Sequence, residues 1–326
     1  MKTTSARRQS LPPAVLLALG LGLFHPGAVL SQVARPTAVE THPTPPTTLE
    51  RRYQVDESLA YTMRGVNAGY LRTIRYEARA RGRVKKNPSG GFVEELGWSD
   101  VRVNDQALAL TPSSQEFREH LSLAPEYPLS VPDLSQVQPV LIGPITDLLA
   151  FYADVQLAMR QKTLVYAGDR AYVQHGLPNS WADGSNVLVG QDAIDFDLTL
   201  QSIDETAHVA SIIVRHVPPA EPKIKWPVDW MRAPVSDSAN NWVEVEKRSD
   251  GKYTAEVGKE TFEADIKLAL PTGRILSASM DNPVDVLARE CTDAALTVCG
   301  DPVRYRIRRQ ITLEADGQAT LPAATK

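Results

Sequence analysis

The chain has 326 residues, a formal net charge of −4 and two cysteines. An acidic balance excludes a general nucleic-acid binder, because a phosphate backbone is met by clustered basic charge. So few cysteines also exclude a disulfide-dense scaffold.

Residues 1–31 read as a secretory signal peptide. Lys2, Arg7 and Arg8 make a positive start, Ala14 to Phe24 is apolar, and Val29 and Ser31 suit cleavage after Ser31. The apolar run is too short to span a bilayer comfortably. The cut chain would carry about −7, since the leader holds only positive charges. The expected location is periplasmic or extracellular, in soluble form. Residues 32–51 are rich in Pro and Thr and read as a disordered tether. A single β-rich domain is expected over 52–316, with a sub-boundary left open at 218–236. Residues 317–326 form a disordered tail.

Ile74 to Lys85 alternates throughout, with Ile74, Tyr76, Ala78, Ala80, Gly82 and Val84 on one face and charged residues on the other. Period two makes this a long antiparallel strand with one wet face. Its dry face has little volume at Ala78, Ala80 and Gly82, so another element or a ligand must cover it. Lys86 to Gly91 is a turn by composition. On the return strand Phe92, Leu96 and Trp98 share one parity and Val101 and Val103 the other, which requires a bulge near Gly97 to Asp100. Ser113 to Leu121 is read as a short helix. Residues 144–161 are read as a long helix, with Pro144 in the first turn and apolar residues nearly all round, including Leu149 and Tyr152. Such a helix is buried, and Asp147 and Asp154 argue against a membrane span.

A second hairpin over 194–217 has an acidic outer face. Residues 218–236 form a Pro-rich loop in which Trp226 and Trp230, together with Trp242, offer a contact patch for an envelope protein or membrane surface. The final third is a meander closed by Val303 to Leu313. There Arg309 shares the apolar face. Three explanations stay open: a bulge, an internal carboxylate such as Asp147 or Asp154, or a counter-charge for an anionic ligand. Cys291 and Cys299 are read as a disulfide closing a short loop.

The fold class is therefore α+β, mostly antiparallel β: a curved sheet or open half-barrel wrapped around one long apolar helix, 144–161. This pattern resembles the architecture of periplasmic lipoprotein and lipid carriers, although none of their motifs is matched residue by residue. No catalytic motif, cofactor fingerprint or metal-ligand spacing is found.

The function expected is an exported, non-enzymatic binding protein holding an apolar or lipid-like ligand between sheet and helix. Its cavity would be lined by Tyr76, Ala78, Ala80, Gly82, Leu149, Tyr152 and Arg309. The alternatives are an envelope interaction or scaffold module without ligand, and a hydrolase with a non-local site such as His175 with Asp183 or Asp192. Open space beside Ala78 favours the carrier, and a helix filling it favours the scaffold.

Overall fold

The computed structural model describes residues 46–69, 72–176, 180–182, 186–190, 193–218, 224–232 and 240–316. The expected signal peptide, most of the expected tether and the expected tail lie outside these.

The alternating segment becomes a central strand. Strand β1 (Ser58–Ala68) pairs antiparallel with β2 (Thr73–Lys86), setting Tyr61 opposite Ala80 and Met63 opposite Ala78. A turn leads β2 into β3 (Phe92–Val103). The bulge is present: Glu77 faces Arg102 but Arg79 faces Ser99, so Asp100 and Val101 together oppose Ala78. Asp100 takes φ 51° to make the step. Leu96, Trp98 and Val101 thereby all stay buried.

Strands β4 (Gln106–Ala107) and β5 (Glu119–Leu121) both pair with β3, on either side of α1 (Pro112–Glu116) in sequence. The helix expected over 113–121 is thus shorter. Phe117 is extended, and residues 119–121 join the β3 edge, where Glu119 and Leu121 are buried.

Helix α2 (Pro139–Met159) starts earlier than its apolar pattern implies. Pro139, not Pro144, takes the first-turn position, where a missing N–H costs nothing. Pro144 lies inside the helix and leaves the Val140 carbonyl without its usual donor. By length and composition α2 could cross a membrane, but 72 % of its apolar window is buried inside the fold.

The remaining strands are β6 (Arg170–Gly176), β7 (Ser180–Ala182), β8 (Asn186–Gly190), β9 (Ala193–Asp204), β10 (Val209–Val217), β11 (Asn240–Lys247), β12 (Tyr253–Glu260), β13 (Glu263–Ala269), β14 (Ile275–Cys291) and β15 (Val303–Ala315). Together with β1–β5 they form one open, 15-stranded sheet.

The sheet forks at β14. The first half of β14 pairs with β13 and the second half with β12, while β15 runs along its other side. One arm continues β13–β10–β9–β6, and the other continues β12–β11–β8–β7. Pro283 sits in the gap between β12 and β13, where its carbonyl accepts from the Thr261 N–H at 3.1 Å. A strand residue points its N–H and C=O to the same side, so this proline costs no bond to β15.

The first arm and β3–β2–β1–β15 curve around α2. One core cluster joins Tyr61, Ala78, Leu149, Leu198, Ile212 and Ile266. The second arm stands apart, with Val243, Val257 and Leu296 packed on one face and Trp242, Val286 and Ile307 on the other. Cys291 and Cys299 are disulfide-bonded at the end of β14.

The fold also begins sooner than composition suggests. Within the expected tether, the Thr47 N–H donates to the Val165 carbonyl at 2.8 Å, and Leu49 and Arg51 are buried.

Candidate functional site

The interior over β2 is occupied. Ala78, Ala80, Leu149 and Tyr152 are all 0 % exposed and share one core cluster. Gly82 is small for a different reason: a Cβ there would strike the Glu95 main chain across the hairpin. Likewise the Tyr76 ring lies over Gly65, its cross-strand partner. The thin face of β2 is therefore covered by α2 and by neighbouring rings and backbone.

Two polar links fix α2 within the half-barrel. Arg309, 9 % exposed, forms an ion pair with Asp147 on α2, and the Tyr76 hydroxyl donates to Asp147 Oδ2 at 2.5 Å. Strand β15 runs without a register shift against both β1 and β14, so no bulge turns Arg309 outward. Of the three explanations, the internal carboxylate is the one present. A buried guanidinium needs such a partner, since desolvating it alone is prohibitive.

The second link centres on Glu94. Its carboxylate accepts from Arg51 Nε at 2.9 Å and from the Tyr152 hydroxyl, which lies 3.3 Å from the Tyr61 hydroxyl. Arg51 also binds Glu57 at 2.7 Å and the Thr272 carbonyl at 3.2 Å. Burial, with Glu94 adding its charge, raises both tyrosines well above the ordinary phenol range. They remain protonated donors. Further along α2, Gln156 Nε2 donates to the carbonyls of Ser122, Ala124 and Tyr127, fastening the loop after β5.

Other buried acids lack such partners. Asp154 is 6 % exposed and has one oxygen buried without a hydrogen bond among the described residues. Burial pushes it up to about 8. Glu119 is raised for the same reason, although Trp98 Nε1 donates to it at 3.2 Å. Asp154 is therefore mostly protonated near pH 7. His216 lies between Phe196 and Phe262, and burial lowers it to about 3, leaving an uncharged ring.

The tryptophan patch does not assemble. Trp226 and Trp230 pack on the Val243–Val257 face of the second arm, whereas Trp242 is buried on the opposite face, against Gly258. Residues alternate sides along β11, so Val243 and its neighbour Trp242 cannot share a surface. Trp230 Nε1 donates to the Leu296 carbonyl at 3.0 Å, which pins its loop to the disulfide-closed segment. The acidic face of β9 is not simply solvated either. Asp195 is buried beneath Tyr172 and Gln174, which donate to it at 2.5 and 2.9 Å.

Among the described residues no group of three or more His, Cys, Asp or Glu is placed to hold a metal. Asp183 and Asp192 lie outside the described residues, as does the side chain of His175. Sequence reasoning missed the Arg51–Glu94 pair. The available signal was Glu94 standing on the inward parity of Phe92, Leu96 and Trp98. Comparison with protein-family models, curated proteins and solved structures finds no match.

Proposed function

We propose that the protein is an exported, non-enzymatic interaction module, whose half-barrel is filled by its own helix and which meets its partner through its outer surface. The observation that carries this reading is the complete burial of Ala78 and Ala80 in a core shared with α2. A carrier needs vacant apolar volume at that position. Here the volume is taken by side chains that are also tied down by buried polar links. The disulfide fits an oxidising compartment.

A second reading is a carrier of an apolar or lipid-like molecule, which would require α2 to leave its seat. It is favoured by the openness of the sheet, since no strand pairing among the described residues closes the half-barrel over the helix. An organic extract of the purified protein, analysed by mass spectrometry, separates the two. The interaction module yields no bound lipid or other apolar compound. A stoichiometric amount would overturn it in favour of the carrier.

A further inference from the structure

We propose that the outer face of β2 docks onto the phosphate-bearing headgroups of an anionic lipid surface. The inference rests on the reading of the protein as an interaction module and supplies the chemistry of its partner.

Arg79, Arg81 and Arg83 occupy successive outward positions of β2, about 7 Å apart along the strand. Most of their cross-strand neighbours are short, Thr62, Ala60 and Ser58 on β1 and Ser99 and Gly97 on β3, while Glu95, opposite Arg83, is engaged by Lys85 at 2.6 Å and His120 at 3.3 Å. Beside Arg79 the Thr62 hydroxyl donates to Asp316 at 2.6 Å. A fourth guanidinium joins them, because Arg118 lies over Gly97, where a Cβ would stand 3.0 Å from its Nη1. That nitrogen is held by the carbonyls of Gln115 and Phe117 at 2.7 and 2.8 Å, which aims the group without neutralising it.

Counter-charge beside these arginines is partial. Asp100 stands 3.9 Å from Arg79 and 3.7 Å from Arg81, beyond hydrogen-bonding distance. No carboxylate among the described residues forms an ion pair with Arg83 or Arg118. Elsewhere on the same outer face Arg64 pairs with Glu77 at 2.8 Å, Arg306 with Asp285 at 3.0 Å and Arg308 with Asp281 at 2.8 Å. Arg79, Arg81 and Arg83 thus form a basic stripe on a chain whose net charge is −4.

Guanidinium is the side chain best matched to phosphate oxygens. Four of them on an open sheet surface, without a concavity to desolvate a single ion, fit an array of phosphates. The absence of exposed aromatic side chains among them disfavours single-stranded nucleic acid, which needs stacking platforms.

The test is co-flotation of the full chain with vesicles of phosphatidylcholine alone or doped with phosphatidylglycerol. One variant combines Arg79→Gln, Arg81→Gln and Arg83→Gln. A second, equal in charge, combines Arg304→Gln, Arg306→Gln and Arg308→Gln. Circular dichroism checks that both fold. The doped vesicles are expected to bind the protein in a salt-sensitive way and the neutral ones not to. The first variant should weaken binding by at least about tenfold, and the second by no more than about threefold. Failure to bind doped vesicles, or equal loss in the two variants, would overturn the proposal. So would full release by millimolar inorganic phosphate, which would indicate a single-ion site. None of these failures bears on the occupied interior, which the organic extract tests separately.

Discussion

Replacing Glu94 by alanine is expected to cost about 3–5 kcal/mol of folding stability, the usual toll for orphaning one member of a buried ion pair. Arg51 and Glu94 have side chains only 1 % exposed, so the guanidinium left behind could not recover its hydration. Its other carboxylate, Glu57, is the more exposed partner at 17 % and does not replace the lost one. The Tyr152 hydroxyl would lose its acceptor in the same step. For a domain of this size the melting temperature should drop by roughly 6–20 °C. Glu94→Gln retains an acceptor of similar shape and is expected to cost less, about 1–3 kcal/mol. Urea denaturation of the two variants checks both the size and the order of the effects. A Glu94→Ala protein within about 1 kcal/mol of the parent would show that this link does not hold the helix.

The second large effect is one of pH. Asp154 titrates at about 8 in the folded protein against an ordinary 3.8, because its burial favours the neutral form. The folded state thus holds this proton more tightly than the unfolded chain. The resulting stability is complete below about pH 4 and is lost as pH rises toward 8. Glu260 and Glu244, each raised to about 7 chiefly by burial, act in the same direction. At about 1.4 kcal/mol per unit, Asp154 alone accounts for a loss of roughly 3–5 kcal/mol across that window. Asp154→Asn preserves the neutral shape and has no proton to lose. It is expected to match the parent near pH 4 and to exceed it by several kcal/mol near pH 8. Thermal melts of both proteins across this range decide the matter, and parallel pH profiles would rule out a buried, proton-bearing Asp154.

Much of the architecture was legible because it follows from period and parity. The alternation over 74–85 specified β2, and the parity change between Trp98 and Val101 specified the bulge. An arginine on the apolar parity of β15 left an internal acid as one of three explanations, with Asp147 among the named candidates, and that is the one present. The less legible features depend on partners distant in sequence. Arg51 reads as part of a polar tether, since Glu94, which makes it a core residue, lies 43 positions away. The fork is concealed because β14 carries Asp281, Asn282 and Pro283 at its centre, which resemble a strand end. Only the gap between β12 and β13 makes that proline acceptable. Gly82 was misleading in a different way: missing volume on a strand face can serve close backbone approach as readily as ligand space.

Hydrogen exchange of the α2 backbone amides in the purified protein tests most directly whether this helix is the permanent filling of the half-barrel. A helix packed in the core and tied through Asp147, Tyr152 and Gln156 opens only with the whole fold. Its amides from Leu148 to Ala158 are therefore expected to exchange as slowly as those in the centres of β1 and β2. Exchange there many times faster than in β1 and β2 would mean that α2 leaves its seat in the native protein, contradicting the filled module and restoring the carrier.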